Sequence, residues 1–539
     1  MSANGKRPHG GATRLIRDLD HLTDSFAGVS ALRRAIFEIA VAGELTAGTP
    51  QPAWRRVPLA DFGEFSGGST PSKARGAFWG GDVPWISPKD MKTPEIGDTE
   101  DKVTRLALSE GRLRLLPTGS VVLVVRSGIL RRTVPVAVTT VSATLNQDMK
   151  GLIPRADIDP RFVRLLLRGC ERTILETYVK GGTTVQSIKW DQLLALELPL
   201  PPLAEQQRIV AKVDQLMALC DDLEAKQTKK RDLATQSTRS ALTALTTAEN
   251  ADDLAAAWSR IQTRFENFVS RPDDVALLRQ ACIELAVRGR LAGGLPSDGS
   301  GQDLLRKIRE ENQKAGKAKN PRQGEANVTE AAQPFQIPSH WVWVCWRDLF
   351  QSSEAGWSPQ CASRPRAGDE WGVLKVSAVS WDRFDPDENK ALLPGVEPRR
   401  DYAVQVGDFL MSRANTAALV GRSVVVAQQP TRLLMSDKTI RCHFSPLVDR
   451  SFMNYYNRTD TARQHYVANA SGTSDSMKNI SRDVILDMPA PLPPLAEQKR
   501  IVAKVDHLMS LLDDLEAKLR KQEETATRLA ESLAAAVAA

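Results

Sequence analysis

Two sets of loop residues in this 539-residue chain have the chemistry to hold a polyanion and to read its edges. In the first half, the small loop GGSTPSK (Gly67–Lys73) carries Thr70, Ser72 and Lys73, and Lys89 follows it. A second loop, RSGILRR (126–132), lies between two apolar runs and brings Arg126, Arg131 and Arg132. A third, KGGTTVQSI (180–188), supplies Lys180, Thr183, Thr184 and Gln186, with Lys189 beside it. The second half offers Lys375, then Arg413, Asn415 and Arg422 within RANTAALVGR (413–422), then Lys438. Ser474, Lys478 and Asn479 fall in GTSDSMKNI (472–480). Lysine and arginine bind phosphate, arginine also pairs bidentately with guanine, and side-chain amides pair with adenine. Glycine lets a backbone approach another molecule closely.

Groups for covalent chemistry are not assembled in the same way. An amino-methyltransferase holds its target amine with Asn/Asp-Pro-Pro-aromatic. Here Asn320-Pro321 is followed by Arg322. Gly316-Lys317 lacks both the upstream glycine and the following Ser/Thr of a phosphate-binding loop. Asp387, Glu388 and Lys390 crowd into one stretch after Asp385-Pro386 and read as a solvated charged loop. No Gly-rich dinucleotide fingerprint follows a strand. The cysteines (Cys170, Cys220, Cys282, Cys345, Cys361 and Cys442) show no CxxC spacing and no zinc pattern with the histidines.

The elements that must position these loops are written twice. PLPPLAEQQRIVAKVDQLMALCDDLEAK (199–226) returns as PLPPLAEQKRIVAKVDHLMSLLDDLEAK (491–518). Only four of the 28 aligned positions differ: Gln207/Lys499, Gln215/His507, Ala218/Ser510 and Cys220/Leu512. Such repetition means two copies of one unit and a pseudo-twofold fold. A strand should end at each proline pair, because proline cannot donate to a ladder, and a helix can start there. Ile209, Val213, Leu216 and Leu223 recur at heptad spacing, as do Ile501, Val505, Leu508, Leu512 and Leu515. Two matching seams on one chain predict a helix pair. Charged substitutions at Val213 or Val505 are expected to disrupt assembly. A shorter repeat precedes each half: LRRAIFEIAVAGEL (32–45) and LRQACIELAVRGRL (278–291), with Gly43 and Gly289 as helix stops.

Between the helices both halves read as mixed α/β. Strands are expected at 83–86, 120–125, 134–138 and 150–153, with a helix over 160–178. The second half should have strands at 372–379, 408–411, 421–426 and 439–444, with a helix over 450–468. The expected class is α+β: two α/β domains separated by long helices that form an antiparallel coiled coil. The division is 1–50 (helical), 51–202 (first α/β domain), 203–294 (central helices), 295–336 (linker, with one helix over 302–315), 337–494 (second α/β domain) and 495–539 (final helix).

Composition is that of a globular protein, 42% apolar and 25% charged, with net charge +7. Residues 51–202 hold 21 Lys+Arg against 16 Asp+Glu; residues 337–494 hold 18 against 17. A mildly basic surface suits some phosphate contacts, with partners supplying others. Cysteine usage fits a reduced cytoplasmic protein. No apolar run is long enough to span a bilayer, and no secretion signal is expected.

The pattern resembles the specificity subunits of type I restriction-modification systems. The carrying residues are the PLPPLAEQ-[QK]-RIVAKVD repeats, the helices ending AVAGEL and AVRGRL, and GGSTPSK with Phe78-Trp79-Gly80-Gly81 and Pro84-Trp85-Ile86 after it. The Ile337-Pro-Ser-His-Trp-Val-Trp opening of the second domain also matches. The second domain's opening loop, 353–360, departs by lacking GGSTPSK. The resemblance implies that each α/β domain is a target recognition domain for one half of a bipartite, non-palindromic site in double-stranded DNA. The helices would set the spacing, about 42 Å over 28 residues at ~1.5 Å each, against a DNA turn of roughly 34–36 Å. They would also dock two modification subunits that methylate adenine. S-adenosylmethionine, ATP and Mg would sit on the modification and restriction subunits, with no cofactor on this non-catalytic chain. The alternative is a coiled-coil protein-interaction scaffold that reads no DNA.

Overall fold

The computed structural model describes residues 26–46, 54–111, 113–181, 185–263, 265–314, 328, 333–380, 383–472 and 477–538. They fall into two compact units, one from residues 1–232 and 522–539, the other from residues 233–521. Among the described residues no helix is long and apolar enough to cross a membrane.

The first unit opens with α1 (Phe26–Ala42), the first short repeat, which stops where Gly43 takes φ +80°. The variable region then supplies β1 (Gly63–Gly67), β2 (Trp79–Ile86), β3 (Val121–Val124), β4 (Arg126–Ser127) and β5 (Val136–Thr139). It continues with β6 (Thr144–Leu145), β7 (Met149–Pro154), α2 (Pro160–Gly169), β8 (Val179–Lys180) and β9 (Gln186–Ile188). The main sheet runs β1-β7-β3-β5, with Glu95–Ile96 on its edge; β4, β9 and β8 form a separate small sheet. Strand Glu197–Leu200 pairs with Arg55–Pro58 and ends at the proline pair, and α3 (Leu203–Thr247) starts at once.

The second unit repeats this scheme. After α4 (Ala251–Thr263) come α5 (Pro272–Val287), stopped by Gly289 at φ +73°, and α6 (Gly301–Lys314). Its strands are β10 (Phe350–Ala355), β11 (Gly372–Leu374), β12 (Phe409–Ser412), β13 (Ala414–Asn415), β14 (Ser423–Val425), β15 (Leu433–Leu434), β16 (Thr439–Phe444) and β17 (Lys478–Asn479). The main sheet runs β10-β16-β12-β14, the order of the first unit; β11 pairs parallel with β15, as β2 does with β6. Helices α7 (Arg450–Asn457) and α8 (Asp460–Asn469) precede α9 (Leu495–Ala538). The α+β class and the doubled element order are as the sequence predicts.

Several expectations change. The helix over 160–178 stops at Gly169, and a π turn spans Ile174–Tyr178. That over 450–468 breaks at Arg458, where Thr459 caps a new helix by accepting from the Ala462 amide. The linker helix exists as α6, but it is core: Leu304, Leu305 and Ile308 are buried with the second unit's aromatic cluster. The long helices have 45 and 44 residues, well beyond the 28-residue repeat.

The seam residues have a more specific destination than a general helix pair. Ile209 and Val213 are buried in one cluster with Ile36 of α1 and Phe162 and Leu166 of α2. Ile501 and Val505 lie likewise among Trp341, Phe452 and Tyr456. Leu216 and Leu223 are half-buried against the first cluster, and Leu508, Leu512 and Leu515 are half-buried on α9. Each side chain buried this way contributes about 1.5–3 kcal/mol. The head of each long helix is therefore part of its own unit's core.

The repeated polar residues explain how each variable region is seated. Gln206 is fully buried; its Oε1 accepts from the Asp159 amide (2.8 Å), and its Nε2 donates to the carbonyls of Pro201 (2.9 Å) and Asp157 (3.1 Å). Gln498 repeats this with the Asp449 amide (2.9 Å) and the Pro493 carbonyl (2.8 Å). Asp159 and Asp449 are the N-caps of α2 and α7. Arg33 of α1 reaches Asp221 (2.5 Å) and Glu224 (3.0 Å) on α3. Arg279 of α5 reaches Asp513 (2.7 Å) and Glu516 (2.9 Å) on α9, at the same repeat positions. Small residues let the other face of the short helix pack closely: Ala31 and Ala35 meet Ala530, and Ala281 meets Leu242 and Leu245.

Candidate nucleic-acid interface

In the first unit, the loop after β1 and the start of β4 both bond to the turn Asn146–Asp148, and β9 and β8 extend from β4. The loop after β1 lies along the turn: the Gly68 amide donates to the Met149 carbonyl (3.3 Å) and the Ser69 amide to that of Leu145 (2.9 Å). A Cβ on Gly68 would stand 1.9 Å from the Asn146 carbonyl oxygen, so only glycine permits this approach. The Thr70 hydroxyl donates to the exposed Gln147 side chain. On the other side of the turn, the Asp148 carbonyl accepts from the amides of Val125 (2.9 Å) and Arg126 (3.2 Å). Strand β9 then sets Ser187 opposite both Arg126 and Lys180, with Gln186 next along the strand.

Thr70, Lys73 and Lys89 line one cleft of about 420 Å³ with Trp85, Asn146 and Gln147. The Trp85 indole fixes its wall by donating to the Ser69 carbonyl (3.1 Å). Lys89 faces Asp101 (2.9 Å) and Glu100 (3.3 Å); Asp101 first, then Glu100, raises its pKa above the ordinary lysine value. Lys89 is therefore cationic, with part of its field neutralised. Ser72 is exposed beside Lys73. Lys189 turns back to donate to the Thr177 carbonyl (3.2 Å).

The far end of the arginine loop leaves this cluster. Arg131 is exposed at the end of a short 3-10 turn. Arg132 lines another cleft, with Arg34, Glu38, Arg168, Glu171 and Glu531, where charges of both signs alternate. Glu171 pulls that end toward the helices by accepting from the Thr133 hydroxyl (2.5 Å) and the Val134 amide (2.6 Å). Thr183 and Thr184 lie outside the described residues.

The second unit builds the same juxtaposition from different residues. The Gly356 amide donates to the Thr439 carbonyl (3.1 Å) and the Trp357 amide to that of Met435 (2.9 Å). A Cβ on Gly356 would stand 2.3 Å from the Met435 oxygen. Ser358 donates to Asp437, as Thr70 does to Gln147. Gly356-Trp357-Ser358-Pro359 thus occupies the place of Gly68-Ser69-Thr70-Pro71, although 353–360 reads as lacking the motif. The shared Gly-x-[Ser/Thr]-Pro was the available signal, hidden by the change of Lys73 to Cys361. Asn146, Gln147 and Asp437 also belong to the site without having stood out in the sequence.

Arg413 joins the turn by donating its amide to the Lys438 carbonyl (2.9 Å). Strand pairing sets Asn415 beside Lys478 and Ala414 beside Asn479. The Asn415 amide donates to Ser380 (3.0 Å), and the Lys478 ammonium to the Gly472 carbonyl (2.9 Å). Lys375 faces Glu388 (3.4 Å), whose pKa is lowered by the Ser377 hydroxyl first and by Lys375. That carboxylate is engaged locally, consistent with a charged structural loop. Arg422 belongs with the helices: beside it, Gly421 lies against the Tyr466 ring and its carbonyl accepts from Asn457 (2.7 Å). Ser474 lies outside the described residues. No group of three metal-ligating side chains occurs among the described residues.

Two cation-bearing α/β domains of one topology are each seated on one copy of the repeated helices. Residues 52–231 match the family described as the type I restriction modification DNA specificity domain. The specificity subunit of type I restriction enzyme EcoEI from Escherichia coli is 32% identical over 341 residues, 62% of this chain and 57% of that one. The EcoR124I/EcoR124II specificity subunit, also from Escherichia coli, is 39% identical over 166 residues, 31% of this chain and 41% of that one. The chain thus spans roughly half the length of these relatives in alignment. A solved chain from a type I restriction-modification system aligns over 91% of this chain and 99% of its own, with 17% identity and TM-score 0.45. Residues 52–231 are therefore similar to that DNA specificity domain, and the chain is similar over part of its length to these specificity subunits.

Proposed function

We propose that this chain is the non-catalytic, sequence-reading subunit of a type I restriction-modification complex. Each variable domain reads one half of a bipartite, asymmetric site in double-stranded DNA. Helices α3 and α9, each about 65 Å long at ~1.5 Å per residue, space the domains and dock two modification subunits. Those subunits carry S-adenosylmethionine and methylate adenine; restriction subunits add ATP- and Mg-dependent cleavage, all in the cytoplasm.

One observation supports this reading above the others. Both units hold a Gly-x-[Ser/Thr]-Pro loop against a polar turn by the same backbone bonds, yet differ in the side chains presented there. The shared backbone supports a shared role, and the divergent side chains support different half-sites. The test is exchange of residues 51–202 for another family member's domain, with the modification subunit present, followed by methylated-base sequencing. Half of the methylated motif should change. An unchanged motif overturns the reading, and methyl transfer by the purified chain alone would contradict its non-catalytic role.

A further inference from the structure

Resting on that reading, we infer that Gln147 and Asp437 are equivalent base-reading positions, and that their different chemistry makes the two half-sites differ. The equivalence follows from backbone geometry. Each residue is the exposed middle of a turn whose preceding residue, Asn146 or Ser436, is buried. Each turn closes alike, with Met149 donating to the Asn146 carbonyl (3.2 Å) and Thr439 to that of Ser436 (3.0 Å). Each tip is held by one hydroxyl of the facing loop, Thr70 or Ser358. Cations flank both tips, and one pair corresponds: the Arg126 amide donates to the Asp148 carbonyl (3.2 Å) as the Arg413 amide does to that of Lys438 (2.9 Å). Lys73 and Arg126 border Gln147, and Lys438 and Arg413 border Asp437.

Asp437 is the more restrictive of the two. A carboxylate only accepts hydrogen bonds, so phosphate repels it. Placed among cations on a DNA-facing turn, it has one favourable partner class, the exocyclic amine of a base. Aspartate accepts from the cytosine amine in the major groove, and adenine presents an amine there too. Gln147 both donates and accepts, the pattern that pairs with adenine at its N6 and N7. The first domain's half-site therefore contains an adenine at the Gln147 position. The second domain's contains an amine-bearing base, cytosine or adenine, at the Asp437 position.

The near-isosteric variants Gln147→Glu and Asp437→Asn, each co-expressed with the modification subunit, test this by methylated-base sequencing. Each should relax or change one base position, in opposite halves of the motif, with discrimination there falling about tenfold or more. An intact motif methylated at the wild-type level overturns the inference. So does uniformly weaker methylation with the motif unchanged, or loss of assembly on purification, since both give the turn a purely structural role. Exchange of residues 51–202 run in parallel separates the two levels: if the exchange also leaves the motif unchanged, the proposed function itself has failed.

Discussion

At the scale of single residues, the site depends on backbone contacts that leave no room. Gly68→Ala and Gly356→Ala push a methyl into a carbonyl oxygen, so each loop must lift off its turn. Both variants should weaken DNA binding of the assembled complex at least tenfold, read by a binding titration, while the melting temperature changes little. Lys73→Ala should weaken binding evenly across sequences and lower the salt slope by about 1, as loss of one phosphate contact does. Gln206→Ala removes the partner of the Asp159 amide and of the Pro201 and Asp157 carbonyls, a cost of about 1–3 kcal/mol; a melting curve should show the loss. The cations of the cluster were legible as residue types. Gln147 and Asp437 were not, because no sequence feature marks the middle of a three-residue turn until the facing loop is placed against it.

Among elements, the short repeated helices link the long ones to the variable regions. Val213→Asp and Val505→Asp bury an unpaired charge in a unit core, so each should cost several kcal/mol of folding stability. Limited proteolysis of the isolated chain should show the affected unit opening, so loss of assembly would follow from loss of folding. Arg500 of α9 holds Asp298 through a pair of hydrogen bonds (2.5 and 2.9 Å) and takes the Asp298 carboxyl down to about 2. A depressed carboxyl stabilises the fold above its unfolded pKa of about 3.9. That contribution is lost as pH falls through about 2. The melting difference between wild type and Arg500→Gln should therefore persist at pH 7 and 5 and vanish near pH 2. Helix starts and stops were readable because Pro201-Pro202, Gly43 and Gly289 act locally. The break at Arg458-Thr459 was hidden, because a threonine cap counts only when the preceding turn has already ended.

For the molecule as a whole, α3 begins in the first unit and ends in the second, and α9 does the reverse. The first unit is built from two separate stretches of chain, and the second is the continuous stretch between them. The doubled organisation was legible because the repeat is nearly identical at 24 of 28 positions. The match between the two variable regions was legible only as an order of elements, since different side chains fill the same topology. Thermal unfolding followed by a probe in each unit should show coupled transitions, because melting either long helix removes packing from both.

The Gln206 and Gln498 clips hold their domains by peptide groups, the amide of an N-cap residue above all, and peptide groups are common to every sequence. Such a socket is blind to the side chains of what it carries. Mutation can rewrite a domain's surface, or recombination can replace the domain outright, provided an aspartate-capped helix arrives at the same place. The repeated segment then serves inheritance as well as architecture: it is the standard fitting that lets a lineage change the domain it carries without redesigning the frame.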